Sequence, residues 1–277
     1  MKNQIQKQYE GFLKTRPLWE NIGPFKMEQI ILPPDNGTRI LEKINAAPGL
    51  IKNYVLGKRV EIFFSFLIDN SAEYDLIAKN LQIVEEKITI GEIDFLVQDT
   101  GNGEILHIEM VYKFYLYDPS LKEEVHRWIG PNRKDSLSQK IEKLQDKQLP
   151  LLYHPETFKY LRELDIDPKE IKQQVCFKAH LFVPLEMYGQ KFVLVNNSCI
   201  RGYWIRFSDF DKKNYARNEF YIPKKTDWPI DPAGHDEWLI YSEVKIMIHE
   251  LNSGKISPMV WMKTPEGDFR SFFVVWW

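Results

Sequence analysis

Two strand-like segments on either side of an Asn-Gly dipeptide constrain this chain more than any other feature of its sequence. Residues 88–97 and 105–117 are rich in β-branched and aromatic residues, and Asn102-Gly103 lies in the short loop between them. Asn-Gly between two such segments is the strongest short-range signal for a β-hairpin. The sequence therefore predicts two neighbouring antiparallel strands in this region.

The alternation of side chains places the charged residues of this hairpin on one face. Successive side chains of a strand point to opposite faces, so Glu109 and Lys113 share a face of the second strand. A symmetric loop would place Asp94 opposite Glu109, whereas a two-residue turn at Asn102-Gly103 would place it opposite Val111. Both registers keep the two carboxylates and the lysine together, and the other face is apolar.

Two carboxylates at this distance on rigid strands repel each other unless a cation lies between them. Mg²⁺ and Mn²⁺ bind carboxylate oxygens and water, so we expect either ion at Asp94 and Glu109. Such an ion lowers the pKa of a bound water and neutralises charge at a phosphate. Lys113 would orient that water, and Glu61, on a predicted helix over 50–70, would assist. These four residues predict a catalytic site that hydrolyses phosphodiesters.

Two further polar residues of the hairpin point to the same face. Glu92 shares its face with Asp94, and we favour a solvated residue or a partner of Lys113 over a catalytic role. His107 begins the face that carries Glu109. It could donate to a phosphate, but a histidine satisfied by hydrogen bonds within the fold is the more common arrangement.

A basic segment precedes the next predicted helix. Residues 128–135 read WIGPNRKD, in which Gly-Pro-Asn is typical of a turn. The turn would project Arg133 and Lys134 just before an amphipathic helix over 137–149, where two cations at a helix N-terminus could bind a phosphate. The alternative is that both are solvated basic residues without a ligand.

Composition narrows the class of protein. The 277 residues are 44% hydrophobic, which excludes a disordered chain, and 37 basic against 39 acidic residues give a net charge of −2. This charge excludes a generally basic nucleic-acid binder but allows a nuclease with a local basic surface. Two cysteines without CxxC spacing argue against a disulfide framework or a structural zinc site. We see no secretory signal and no apolar stretch long enough for a bilayer, and therefore expect a cytoplasmic protein without membrane partners.

The positions of the three carboxylates resemble those of the PD-(D/E)XK nuclease superfamily. In that superfamily a helix bearing a glutamate precedes a hairpin with an aspartate and a Glu-x-Lys motif, and a further helix packs on the sheet. Here Glu61 matches the helix glutamate, Asp94 the hairpin aspartate and Glu109 the second acidic position. Val111 occupies the usual lysine position, and Lys113, on the same face, could supply the amine instead. The resemblance implies a restriction-endonuclease-like αβββαβ core. It also implies a polar or basic residue near the site on the helix that follows the hairpin, for which Lys140 is the candidate for nucleic-acid binding; the alternative is a lysine on a solvated helix face.

More narrowly, the chain resembles a bacterial family catalogued as domain of unknown function 1853 (DUF1853). The segments that carry this resemblance are LGKRVE at 56–61, GEIDFL at 91–96, HIEMVYKFYL at 107–116 and WIGPNRKD at 128–135, followed by the 137–149 helix. The resemblance extends over most of the chain and is best over 50–150. By itself it implies no activity.

Together these features predict an α+β protein with a nuclease-like region over 1–172 and a strand-rich region over 173–277, either separate or continuous with the first. The expected function is metal-dependent hydrolysis of DNA or RNA. The alternative is a catalytically degenerate nuclease fold that binds nucleic acid or a protein partner. In that case aromatic residues of the second region could stack on bases, although aromatic residues in such strands are more often part of the core. The sequence favours no particular oligomeric state.

Overall fold

The hairpin is part of a large mixed sheet. The computed structural model describes residues 4–34, 51 and 53–277, so part of the helix predicted over 50–70 lies outside the described residues. The strands run in the order β1-β2-β3-β5-β6-β9-β8-β7, with β4 pairing only with β3. Most pairs are antiparallel, but β6 is parallel to both β5 and β9. The bounds are β1 Tyr74–Glu85, β2 Ile88–Asp99, β3 Ile105–Tyr117, β4 Trp128–Ile129, β5 Ile171–Pro184, β6 Ile200–Arg206, β7 Glu219–Tyr221, β8 Met259–Lys263 and β9 Phe269–Val275.

Seven α-helices occur within the described ranges, which together with the sheet confirms the predicted α+β class. They are α1 Gln4–Lys14, α2 Leu56–Asp69, α3 Glu124–Arg127, α4 Leu137–Lys143, α5 Pro155–Glu163, α6 Lys212–Tyr215 and α7 Tyr241–Ser253. No helix in the described part of the chain combines the length and the apolar character that crossing a bilayer requires.

The helix predicted over 137–149 is interrupted. Regular α-helix ends at Lys143, a π-helical turn covers Leu144–Gln148, and a 3-10 turn covers Leu149–Tyr153. A π turn changes the direction of the side chains that follow it, and such turns are frequent at functional sites. The amphipathic pattern predicts a helical segment correctly here but does not reveal this change.

By its internal contacts the chain divides into two interleaved units. Unit 1 consists of Met1–Tyr9, Pro17–Tyr112 and Gln139–Lys178, and unit 2 of Glu10–Arg16, Lys113–Ser138 and Ala179–Trp277. The strands β3 and β5 each begin in unit 1 and end in unit 2. The predicted boundary between residues 172 and 173 falls near the start of β5.

In the core of unit 1, α2 and the 3-10 turn Leu149–Tyr153 pack against β2. Phe64 of α2 packs against Phe95 of β2 with ring centroids 4.6 Å apart. Leu151, in the 3-10 turn, contacts Gly91 of β2 so closely that a Cβ added to Gly91 would lie 2.6 Å from Leu151 Cδ2. Each large buried apolar side chain stabilises the fold by about 1.5–3 kcal/mol. These contacts fix the turn that follows α4 against β2.

In unit 2 the aromatic residues form a core of their own. Tyr203 stacks on Phe272 with centroids 5.1 Å apart, and Trp204, Trp261 and Phe273 are buried. Their burial agrees with the prediction that most aromatic residues of the second half are core residues.

Candidate functional site

The β2–β3 hairpin adopts the symmetric register. Phe95 pairs with Ile108, and the ladder continues toward the loop to Gln98 and Ile105. Beside the Phe95–Ile108 pair, at the end of the ladder away from the loop, the backbone N–H of Met110 donates to Asp94 Oδ2 at 2.9 Å. The Asp94 side chain thus provides the acceptor for β3 at the point where the pairing of the two strands ends. This register brings Asp94 next to Glu109.

Asp94 and Glu109 lie near each other across the two strands, and each carboxyl group affects the pKa of the other. Glu109 is 0% exposed. Burial raises the pKa of Asp94 to about 7, and the neighbouring Glu109 carboxylate adds to this rise. Burial also raises the pKa of Glu109 to about 7, against the opposing effect of the Lys140 ammonium. Two like charges in a buried environment are unfavourable, so this pair favours the protonation of one of its carboxyl groups.

Both oxygens of Glu109 have hydrogen-bond donors. His107 Nε2 lies 2.9 Å from Oε1, and the Gln148 amide donates to Oε2. Lys140 Nζ donates to the side-chain oxygen of Gln148, Oε1, at 2.6 Å. The π turn that contains Gln148 therefore links a lysine of α4 to a carboxylate of β3.

His107 is buried and neutral. Burial lowers its pKa to about 4, although the Asp94 carboxylate acts in the opposite direction. Gln173 Nε2 lies 3.0 Å from His107 Nδ1 and donates to the backbone oxygen of Leu149 at 2.6 Å. The structure agrees with the prediction of a histidine satisfied within the fold, and its partner is the candidate site carboxylate Glu109.

A second group of polar residues surrounds Glu61 on α2. Lys58 Nζ donates to Glu61 Oε2 at 2.6 Å, and the Asn80 amide lies 2.9 Å from Glu92 Oε1 and 3.4 Å from Glu61 Oε2. Asn80 adopts a positive φ of 51° within β1, a conformation that Asn tolerates better than most residues. The Glu61 carboxylate contributes to the raised pKa of Asp94. Glu61 therefore acts electrostatically on the carboxyl pair.

Lys58 is the cation of this second group. Partial burial lowers its pKa, but the hydrogen bond and charge of Glu61 outweigh this effect, so the pKa lies above its ordinary value. The carboxylates of Glu92 and Asp94 act in the same direction. Lys58 thus remains charged and offsets part of the negative charge around the carboxyl pair.

Lys113 has a different partner from the one predicted. Its Nζ donates to Asp135 Oδ2 at 2.5 Å, and both side chains are more than one-third exposed. Lys113 also lies four residues beyond Glu109 on the same strand, which corresponds to roughly 13 Å. The structure brings Asp94, Glu109 and Glu61 together with Lys140 and pairs Lys113 with the turn before α4.

The other two predicted basic residues belong to the same turn. Arg133 donates to Asp118 Oδ2 at 2.8 Å, and its guanidinium lies 4.6 Å from the ring centroid of Trp277. Lys134 is exposed. Arg133 therefore has a structural role in unit 2, whereas Lys140 belongs to unit 1.

Sequence reasoning missed the glutamines. Gln148 falls on the buried stripe of the predicted helix, and a buried amide needs partners, so its position was a usable signal. Gln173 gave no comparable signal, because it lies near the start of β5 among polar residues. Only the pairing of distant segments brings Gln173 to His107.

The donor set fits a hard divalent cation bound partly by water. Within the described ranges no three His, Cys, Asp or Glu side chains form a group that could hold a metal ion. Mg²⁺ commonly binds proteins through one or two carboxylates and keeps several waters or phosphate oxygens. The pair Asp94 and Glu109 meets that requirement, but not that of a zinc site, which needs three or four protein ligands.

Unit 2 contains a separate feature, a cavity of about 1040 Å³. Its lining includes the aromatic residues Tyr188, Trp261 and Phe269 and the charged residues Asp268 and Arg270. None of the predicted site residues lines it. Its size and mixture of aromatic and charged groups are compatible with a ligand.

The chain belongs to the family described as Domain of unknown function (DUF1853), whose model matches residues 10–271. This match confirms the family resemblance. No curated protein and no solved structure matches the chain. The function therefore has to be inferred from the side chains described above.

Proposed function

We propose that this protein is a metal-dependent phosphodiesterase of PD-(D/E)XK type that acts on DNA or RNA. The observation that carries the proposal is that the hairpin places the Asp94 carboxylate, which accepts the Met110 N–H, beside the fully buried carboxyl group of Glu109. A fold that keeps two such groups together loses stability unless the pair has a ligand or a proton. Functional sites are where such arrangements are concentrated.

Asp94 and Glu109 would hold Mg²⁺ or Mn²⁺. When bound, such an ion supplies an activated water and neutralises charge on the phosphate. The protein's own contribution is to fix the two carboxylates through Met110 N–H, His107 and Gln148. Glu61 would act from α2 as a further acceptor near the pair.

Lys140 replaces Lys113 as the amine in the proposed site. Its charge lowers the pKa of both Asp94 and Glu109, and its hydrogen bond to Gln148 links it to Glu109. A cation held in this way can stabilise negative charge that develops on a phosphate during hydrolysis. Lys140 would therefore take the catalytic role that the sequence predicted for Lys113, in addition to its own predicted role in nucleic-acid binding.

The order of elements in unit 1 supports the proposal. A helix with Glu61 is followed by β1, β2 and β3, then by α4 with Lys140, and later by β5. The nuclease resemblance implies the same succession of helix, three strands, helix and strand, although α3, β4 and α5 also lie between β3 and β5 here. Fold alone does not establish activity, so the proposal depends on the carboxyl pair.

The direct test is a cleavage assay with single-stranded, duplex and structured DNA and RNA, each with Mg²⁺, Mn²⁺ or EDTA. We expect cation-dependent cleavage by the wild type and its loss in Asp94→Asn/Glu109→Gln. Asp99→Asn/Glu104→Gln is the matched control, because it makes the same changes near the loop of the same hairpin. Equal cleavage by both double variants would contradict the proposal.

A second candidate function is binding without catalysis. It is favoured by the pairing of Lys113 with Asp135 and by the cavity of unit 2 with its aromatic residues and Arg270. Nucleic-acid binding that is independent of divalent cations, without cleavage of any substrate, would support this function instead. Weaker nucleic-acid binding by Arg270→Gln would then assign the binding site to the cavity of unit 2.

A further inference from the structure

We propose that His107 and Gln173 are positioning residues that fix the orientation of the Glu109 carboxylate for cation binding. This inference rests on the proposed function, because it assigns the residues that support one of its two cation ligands. Neither residue would touch the cation or the substrate. Their role is to hold Glu109 from the side of β5.

The hydrogen bonds define which ring nitrogen of His107 carries the proton. The Gln173 amide nitrogen has two N–H donors and no acceptor capacity. One N–H donates to the Leu149 oxygen at 2.6 Å, and the other reaches His107 Nδ1 at 3.0 Å. His107 Nδ1 must therefore accept, and Nε2 carries the hydrogen that is donated to Glu109 Oε1 at 2.9 Å.

This chain of hydrogen bonds runs between three separate parts of unit 1. It begins at a backbone oxygen of the 3-10 turn, passes through Gln173 of β5 and His107 of β3, and ends at Glu109. His107 is 0% exposed. Burying an imidazole among apolar groups costs free energy that an apolar side chain would not. A requirement for one fixed orientation of the Glu109 carboxylate would explain why the fold keeps a buried imidazole at this position.

Gln148 supports the other oxygen of the same carboxylate. Because His107 holds Oε1 and Gln148 holds Oε2, rotation of the carboxylate about its last bond would break both hydrogen bonds. The remaining lone pairs then face a defined direction. Replacing hydrogen-bond partners of metal ligands typically lowers metal affinity about 10–100-fold.

The experiment combines two readouts on the full-length protein. Nitrogen-15 NMR of the histidine rings reports the tautomer of His107, and calorimetric titration with Mn²⁺ reports cation affinity. We expect the Nε2–H tautomer in the wild type. Gln173→Met should disturb this tautomer and weaken Mn²⁺ binding about tenfold. His107→Leu should weaken it about 10–100-fold, and His107→Gln, which keeps an amide donor, should restore most of the affinity.

Gln98→Met is the matched control, because the Gln98 amide bonds to the Gly103 oxygen near the loop of the hairpin. It should change neither readout. Circular dichroism and thermal unfolding identify any variant that fails to fold, and the wild-type tautomer can be measured without variants. An Nδ1–H tautomer, or Mn²⁺ affinities unchanged in Gln173→Met and His107→Leu, would overturn this inference alone. Absence of Mn²⁺ binding by the wild type would overturn the proposed function together with it.

Discussion

The β2–β3 hairpin carries two pairs of acidic residues with very different surroundings. Asp99 and Glu104 lie beside the loop, where Asp99 Oδ1 accepts the Gly101 N–H at 2.8 Å and Glu104 is exposed. Asp94 and Glu109 lie farther along the same strands, where Glu109 is fully buried, Asp94 is half-buried and each affects the pKa of the other. The residue types are the same in both pairs. The difference shows that burial and the surrounding donors, rather than the acidic residues themselves, create the candidate site.

The largest effect is expected for a substitution that tests whether Lys140 supplies the positively charged side chain of the candidate site. In Lys140→Met, cleavage should fall about 10²–10³-fold, because a positive charge near developing negative charge contributes about that much to rate. Lys147→Met is the matched control, since Lys147 is an exposed lysine of the π turn, and its cleavage rate should not change. Similar losses in both variants would indicate a general effect of surface charge.

The pH dependence of stability tests the buried pair directly. Both carboxyl groups have a pKa of about 7 in the folded protein, above ordinary values of about 4. Between these values the folded state binds more protons than the unfolded state. The free energy of unfolding contributed by the pair is therefore highest below about pH 4, falls as the pH rises to about 7, and stays low above that.

Asp94→Asn should remove the part of this loss that Asp94 contributes, whereas Glu109 should keep its own. We expect the variant to be more stable than the wild type at pH 8 by on the order of 2 kcal/mol, because only one buried carboxyl group then has to ionise. Urea unfolding of both proteins from pH 4 to 8 measures the difference. His107, whose pKa is lowered to about 4, has the opposite pH dependence, but its contribution largely cancels in the comparison. A curve for Asp94→Asn parallel to that of the wild type, as expected for Asp99→Asn, would refute the assignment.

A substitution at Gly91 tests how the turn after α4 supports the buried pair. Gly91→Ala would bring a Cβ to 2.6 Å from Leu151 and should destabilise the protein by about 1–3 kcal/mol. Gly57→Ala in α2, where a Cβ would meet no atom of the described residues within 4 Å, should instead be neutral or stabilising by up to about 1 kcal/mol. Thermal unfolding of the two variants compares them. If Gly91→Ala were as stable as the wild type, the contact would be looser than described.

The smallest effect is expected at Lys113. Its ion pair with Asp135 is partly exposed, and such pairs contribute about 0–1 kcal/mol. Lys113→Met should therefore change the free energy of unfolding by less than about 1 kcal/mol and leave cleavage unchanged. A loss of cleavage as large as that of Lys140→Met would restore Lys113 to the site.

The sequence was sufficient to predict the hairpin and its charged face, because the two-residue periodicity of strands is independent of distant contacts. It left two registers open, since a symmetric loop and a two-residue turn both satisfy Asn102-Gly103. The closing contacts decide between them: the Asp99 N–H donates to the Glu104 oxygen at 2.8 Å.

The replacement of Lys113 by Lys140 could not be predicted in the same way. The turn before α4 places Asp135 beside Lys113, and the π turn directs Gln148 between Lys140 and Glu109. Both outcomes depend on how segments distant in the sequence pack together. Local patterns contain no information about such packing, and the positions of Gln148 and Gln173 in the network follow from it as well.

The most direct test of the account is calorimetric titration of Mn²⁺ into the wild type and into Asp94→Asn/Glu109→Gln. We expect the wild type to bind one ion, with proton release near pH 7, and the double variant to bind none. Circular dichroism should show both proteins folded, and Asp99→Asn/Glu104→Gln should bind as the wild type does. Equal Mn²⁺ binding by the wild type and Asp94→Asn/Glu109→Gln, or none by either, would contradict the claim that the buried carboxyl pair is a cation site.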